Sequence, residues 1–288
     1  MNSGLWSGGH SKRTTIRELV MAKHLSTRTI YEQLGLQDGP RLLDARRDED
    51  FERVPRMIPG SMRFAAERAA ASAHNFPPQR PIALYSSRTH DLGQAAQALA
   101  ARGLRVSIIE GGIEGWLAEN RPTIKARTEF GVPGGSQWVT RERPKIDRIA
   151  CPWLIRRFID PLATFFYVPA PQVRTEAIAL GAQPYDIPDV TFSHRGPKCS
   201  FDAFLDEFDL HDPVMNELAR IIRAADTGKL DESREAPGLL AISLGLSASI
   251  SDDQLLLEQG MAVYDALYTW CKTARDETHS WPQKAATR

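Results

Sequence analysis

The stretch PIALYSSRTHDL, Pro81 to Leu92, is an apolar run that stops abruptly at polar residues. Such a run reads as a buried strand that delivers a loop. Helical periodicity follows through Leu92, Ala95, Ala96 and Leu99, and Gly103 stops it. Val106 to Ile109 reads as the next strand, and Gly111-Gly112 turns into a helix through Ile113, Trp116 and Leu117. Upstream, RLLDAR (Arg41 to Arg46) is a short buried strand ending in polar residues, and IPGSM (Ile58 to Met62) is a turn. Residues 1–13 are Gly/Ser-rich; Thr14 or Thr15 then caps a short helix that turns Ile16, Leu19 and Val20 inward. Short strands alternating with helices predict a small α/β domain, about 14–125, around a largely parallel sheet.

In such a sheet the loop after a central strand carries function, because backbone N–H groups converge there. The loop SSRTHDL, with LLDAR, Phe51, IPGSM and EGGIEGW ending at Trp116, resembles the rhodanese family. The resemblance spans about the first 125 residues and implies a three-layer fold. Active members place a sulfur-carrying cysteine directly after the strand, where this chain has Ser86, and an arginine where it has Asp91. A serine hydroxyl lacks the acidity that makes a persulfide carrier workable. An acid at position 91 also opposes a sulfur-bearing anion. His90 lies four residues after Ser86, but no acid is evidently placed to orient it as a hydrolytic pair needs. The expected role of this domain is structural or recognitional, without sulfurtransferase activity.

With 288 residues and 42% apolar content, the chain can form two domains with proper cores. Lys+Arg and Asp+Glu balance at 36 each, so no global charge calls for nucleic acid or an anionic membrane. Three cysteines cannot all pair, which favours a reducing compartment. Neither an apolar segment of signal-peptide length at the start nor a run of transmembrane length is present. The expectation is a soluble, cytoplasmic protein.

ARTEFGVPGGS (Ala126 to Ser136) reads as a linker. Beyond it lie all three cysteines and four of the six tryptophans. Gln137 to Thr140 and Ala163 to Val168 read as strands, and Thr175 to Gly181 as a short helix. In PKIDRIACPWLIRRFID (Pro144 to Asp160), Pro152 predicts a helix opening at Cys151, with Asp147 in a turn that feeds it. Ser200 caps a helix through Phe201, Phe204, Leu205 and Phe208. Asp212-Pro213 opens another, with Val214, Leu218, Ile221, Ile222 and Ala225 buried and Asp226 at its end. A mobile acidic connection is expected from about Lys229 to Pro237. Ser251 and Gln254 form a capping box for a long helix that runs to about Thr273. The tail, 274–288, is polar. The second domain, about 137–273, is therefore mainly α-helical (α+β).

WVTRERPKIDRIACPWLIRRFID, FSHRGPKCSFDAF (Phe192 to Phe204), AISLGLS (Ala241 to Ser247) and MAVYDALYTWC (Met261 to Cys271) resemble the C-terminal domain of the ChrB-type chromate-resistance family. The resemblance implies a part in resistance or response to chromate, often beside a chromate efflux pump. Some members are chromate-responsive transcriptional regulators with another N-terminal region, so DNA binding is not carried over here. No helix-turn-helix pair or zinc-finger spacing supports it either.

The candidate polar site comprises Asp147, Cys151, His194, Cys199, His211 and Asp226. His194 and Cys199 flank a Gly196-Pro197 turn that lets both side chains approach one centre. A divalent metal (zinc, or iron or manganese if carboxylates dominate) would accept the imidazole with Asp147 or Asp226. Asp226, at a helix C-terminus, needs a cation or an arginine near Arg148 as partner. Cys151 and Cys199 are the candidate thiolates for thiol-dependent chromate reduction, with a thiol donor such as glutathione. The competing reading makes both cysteines small buried hydrophobes and His194 a loop cap. Cys271 reads as core and His211 as solvated. Arg141, Arg143, Lys145, Arg148, Arg156 and Arg157 concentrate positive charge. Arg148 and Arg156 are the candidates to bind chromate or another small oxyanion, or the carboxylates of a thiol tripeptide, against the alternative of solvated helix faces. A chromate-sensing role would act through the same site, with a partner protein or DNA as output.

Overall fold

A computed structural model describes residues 22–87, 91–126 and 135–277 of the protein. The expected helix at 14–20, His90, most of the linker and the end of the tail lie outside the described residues. The first region comprises β1 (Lys23–Leu25), α1 (Thr27–Gln33), β2 (Arg41–Asp44), α2 (Asp48–Arg53), β3 (Arg56–Met57) and β4 (Ser61–Arg63). It continues through α3 (Ala69–Ser72), β5 (Ile82–Tyr85), α4 (Gly93–Ala100), β6 (Val106–Ile109), α5 (Gly112–Ala118) and β7 (Ile124–Lys125). Five strands form one parallel sheet in the order β1-β6-β5-β2-β4, while β3 and β7 make a separate antiparallel pair.

The apolar run at 82–85 sits in the middle of that sheet because both its faces are covered. Ile82 and Leu84 pack with Leu43 and with Ala96 and Leu99 of α4. Ala83 and Tyr85 point the other way, to Leu42, Ile30 of α1, and Ile113 and Trp116 of α5. The period-two alternation of the strands thus builds the expected three-layer α/β fold. Helix α1 escapes sequence reading: it is only seven residues long, and its stop depends on packing, although Ser26 caps it by accepting from Thr29 N.

The second region runs β8 (Gln137–Arg141), α6 (Asp147–Leu154), β9 (Thr164–Val168), α7 (Val173–Leu180), β10 (Gln183–Pro184), α8 (Ser200–Phe208), α9 (Pro213–Asp226), α10 (Ala236–Ser249) and α11 (Asp253–Thr269). Its small sheet, β10-β8-β9, is parallel. Four sequence expectations need correction. Helix α6 starts at Asp147, not Cys151, and runs straight through Pro152 before widening into a π-helix at Ile155–Ile159. Pro152 cannot donate to the carbonyl of Arg148 four residues back. That carbonyl is instead taken by the hydroxyls of Tyr185 (3.2 Å) and Tyr167 (3.5 Å). The cap of α8 is Cys199, in a reciprocal box with Asp202, and Ser200 is the first helical residue. Helix α11 is capped by Asp252, which accepts from Gln254 N and Leu255 N, rather than by Ser251. Within the connection expected to be mobile at 229–237, Leu230–Glu232 forms a 3-10 turn and Ala236 already opens α10.

One hydrophobic core links the two regions. It joins Leu42, Tyr85 and Trp116 to Trp153, Phe158, Tyr264 and Tyr268. The IPGSM turn docks on the π-helix: Gly60 N donates to Phe158 O (2.6 Å), and a Cβ on Gly60 would stand 2.5 Å from Arg157 O. Gly60 is therefore required by the neighbouring region as well as by its φ of +72°. Gly35 faces the rings of Phe158 and Tyr268 in the same close way. Lys272 adds two bonds across the junction, to Tyr31 O (2.7 Å) and Leu34 O (3.0 Å).

Candidate metal centre

Three stretches far apart in sequence, at 147, 194–199 and 226, converge on one point. Asp147 is the first residue of α6, Asp226 the last of α9, and Cys199 the cap of α8. His194 stands in the loop before the Arg195–Lys198 turn, whose two ends exchange backbone bonds at 3.0 and 3.1 Å. The imidazole Nε2 of His194 lies 3.2 Å from Asp147 Oδ2, 3.2 Å from Asp226 Oδ2 and 3.4 Å from Asp186 Oδ1. Two overlapping donor sets result, Asp147/Asp186/His194 and Asp147/Cys199/Asp226, with the ligand atoms of each within 4.8 Å of one another. His194 is half-exposed and forms the open side of the cluster, whereas Asp147, Asp186 and Cys199 are buried.

Asp186 is the member that sequence reading missed. Its Oδ2 receives Arg141 Nη2 (2.7 Å) and faces Arg148 Nε (3.3 Å), and its Oδ1 accepts from Ser200 Oγ (2.8 Å). Asp186 holds a left-handed backbone, φ +53°, and this carries its side chain into the cluster. The one available signal was an aspartate in YDIPD, a short polar interruption with no periodicity. Backbone strain is also present beside Asp147. Ile146, a β-branched residue, has φ 42° and ψ −104°. Its carbonyl accepts from Tyr264 Oη at 2.6 Å and from Ala150 N at 2.9 Å, which fixes the entry into α6.

The electrostatics follow from crowding three carboxylates in a buried place. Burial, then the charge of Asp147, pushes Asp226 up to about 8. Burial and the neighbouring Asp186 likewise raise Asp147. Burial would raise Asp186 too, but bonds from His194, Arg141 and Ser200 bring it below the usual carboxylate range. Bonds to Asp147 and Asp186 lift His194 to about 10. The imidazolium is thus the cation that Asp226 faces; Arg148 is committed to Asp186 and to the carbonyls of Arg141 and Glu142.

The other singled-out residues lie as follows. Cys199 Sγ is 3.6 Å from Asp202 Oδ2, which Arg223 holds from its other oxygen. Cys151 is buried one turn along α6 from Asp147 and belongs to neither donor set. Burial, followed by the charge of Asp147, pushes both thiols well up. Arg156 is not at the cluster: its Nε donates to Ala163 O (3.1 Å) and its guanidinium lies over Phe165. Cys271 is buried in the π-helical turn Trp270–Ala274 that follows α11, and His211 is half-exposed beside Asn216 and Asp206. In the first region Ser86 follows β5, with its Oγ donating to Ala45 O (3.3 Å). Asp91 accepts from Gly93 N (2.8 Å) at the start of α4.

The donors fit a divalent cation. Three carboxylates and one imidazole suit iron(II), manganese(II) or zinc, and the thiol of Cys199 adds a softer donor. Sequence comparison agrees with this division of the chain: residues 138–271 match the family described as ChrB, C-terminal domain, and residues 29–119 the rhodanese-like domain family. The chain joins a rhodanese-like domain to a ChrB C-terminal domain. Protein ChrB of Cupriavidus metallidurans is 37% identical over 142 residues, 49% of this chain and 42% of that protein. The chain thus spans less than half the length of this curated relative. Among solved structures, a rhodanese-related protein of Thermoplasma volcanium is similar over 35% of this chain and 96% of its own, with 21% identity and a TM-score of 0.31. A protein of Lactobacillus plantarum is similar over 35% of this chain and 87% of its own, with 19% identity and a TM-score of 0.33. Asp147, Asp186, His194, Cys199 and Asp226 all fall inside the ChrB C-terminal domain; Ser86 and Asp91 fall inside the rhodanese-like domain. Among the described residues no helix is long and apolar enough to cross a membrane.

Proposed function

We propose that the chain is a cytoplasmic chromate-response protein whose ChrB C-terminal domain binds one divalent metal ion, iron or manganese ahead of zinc. The ligands would be Asp147, Asp226 and His194, with Asp186 or Cys199 completing the set. The observation that supports this reading is the meeting of two buried carboxylates, Asp147 and Asp186, and the mostly buried Asp226 at one imidazole nitrogen. So many carboxylates are costly to bury together without a cation. Their number favours a harder ion than zinc. Three free thiols suit a reducing compartment.

Metal analysis of protein purified without chelators tests the proposal. Near-stoichiometric iron or manganese is expected, falling at least severalfold in His194→Ala and Asp226→Asn proteins that keep their fold. Protein free of metal after reconstitution would overturn it. The enzymatic alternative, chromate reduction by Cys199 or Cys151 with glutathione as donor, is opposed by burial of both thiols, since the neutral form is a poor nucleophile. Chromate consumption with glutathione that disappears in Cys199→Ser would revive it.

A further inference from the structure

Where the rhodanese-like and ChrB domains meet, a small cavity is lined by Arg80 from one side and by Arg156 and Arg157 from the other. Among the described residues, every charged residue in its lining is an arginine. The cavity volume of about 20 Å³ leaves room for a compact ion and none for a nucleotide. Arg157 already has its carboxylate, gripping Asp265 through two nitrogens at 2.9 and 2.8 Å. Arg80 and Arg156 have no carboxylate within 4 Å among the described residues. Arg80 Nε donates to Gly39 O (2.9 Å), and Arg156 uses Nε on Ala163 O and leans Nη1 on Met261 Sδ (3.7 Å). Both Nη groups of Arg80 and Nη2 of Arg156 have no protein acceptor among the described residues.

A fourth arginine adds to the imbalance. Arg41, one residue from the lining Pro40 and Leu42, buries its Nε with no partner. Burial, then the charges of Arg41 and Arg157, lowers the pKa of Arg80; burial lowers those of Arg156 and Arg41. Glu258 acts on Arg156 from a distance but forms no ion pair with it. Guanidinium groups in this state are short of negative charge and present planar forks of donors, an arrangement that matches the oxygens of an oxyanion.

We propose that this junction cavity binds a compact tetrahedral dianion of the sulfate and phosphate class, held between Arg80 of the rhodanese-like domain and Arg156 of the ChrB domain. The ligand would bridge the two domains and supply the charge that neither provides. The proposal does not rest on the metal centre, whose residues lie elsewhere. Titration calorimetry of the full chain with sulfate, at ionic strength fixed with chloride, provides the test. Saturable one-to-one binding is expected, weakened at least tenfold in Arg80→Gln and in Arg156→Gln, with Arg80→Lys intermediate. Perchlorate, tetrahedral but singly charged, should bind far more weakly. Circular dichroism confirms that each variant is folded, and Arg174→Gln, at an exposed arginine in α7, should bind as the parent does. Absence of saturable binding, parent-like binding in either glutamine variant, or an equal loss in Arg174→Gln would overturn the assignment.

Discussion

At the scale of single residues, the cluster around His194 sets how stability depends on pH. Asp226 titrates near 8 in the folded chain against 3.8 as a free side chain, so its proton stabilises the fold fully below 3.8. That contribution is lost as pH rises through 8. His194 titrates near 10 against 6.5, so its contribution is complete below 6.5 and lost as pH rises through 10. Both act in one direction: metal-free protein should lose stability steadily as pH rises, seen as falling urea midpoints. Asp226→Asn should flatten that decline between about pH 5 and 8. An unchanged slope in the variant would contradict the buried carboxylate. Metal coordination needs the same protons removed, so affinity should rise over this pH range while metal-free stability falls. The rhodanese-like loop carries a separate prediction. Ser86 directly follows β5 and carries a hydroxyl, which cannot hold a transferable sulfur as a thiol does, so thiosulfate and cyanide should give no thiocyanate above a Ser86→Ala control. Ser86→Cys should restore little while Asp91 remains. Asp147, His194, Cys199 and Asp226 were legible because dense polar motifs and helix boundaries mark them. Asp186 was not, since a left-handed aspartate in an aperiodic segment acquires its place only from tertiary structure.

At the scale of elements, α6 shows how a helix survives an internal proline. The carbonyl that Pro152 leaves free is taken by hydroxyls from β9 and from the residue after β10, so the helix is pinned to the small sheet. Tyr185→Phe should cost about 1–2 kcal/mol, because the Arg148 carbonyl loses its closer hydroxyl donor. Pro152→Ala restores an N–H for that carbonyl, so the tyrosine substitution should cost less than half as much in its background. Denaturant unfolding of the four proteins closes the cycle; additive effects would show that the hydroxyl does not replace the missing N–H. Reading a helix start at Cys151-Pro152 was reasonable from local propensity, and partners 15 and 33 residues downstream of Pro152 overrule it by letting the helix run through the proline from Asp147. Helix α10 was equally hard to see. APGLLAISLGLSAS has no charge and little amphipathic pattern, and both Ile242 and Leu244 lie exposed.

At the scale of the whole molecule, the two domains share one core, and thermal unfolding should follow from that. Calorimetry should give a single cooperative transition; two well-separated ones would show that the domains melt independently. Gly60→Ala probes the junction directly. The left-handed backbone alone should cost about 1–2 kcal/mol, or roughly 2–8 °C, and the approach to Arg157 O adds to it.

The shared core has a further consequence during synthesis. The face of α1 and the Gly35 turn is covered by Phe158 and, from near the far end of the described chain, by Tyr268 and Lys272. When Ala126 leaves the ribosome, that apolar face has nothing to rest on. At about 5–20 residues per second, Phe158 follows after roughly 2–6 s, but Tyr268 and Lys272 arrive only after roughly 7–30 s. Through that interval the nascent rhodanese-like domain presents a sticky surface, and chaperone supply rather than final stability would set the yield of folded protein.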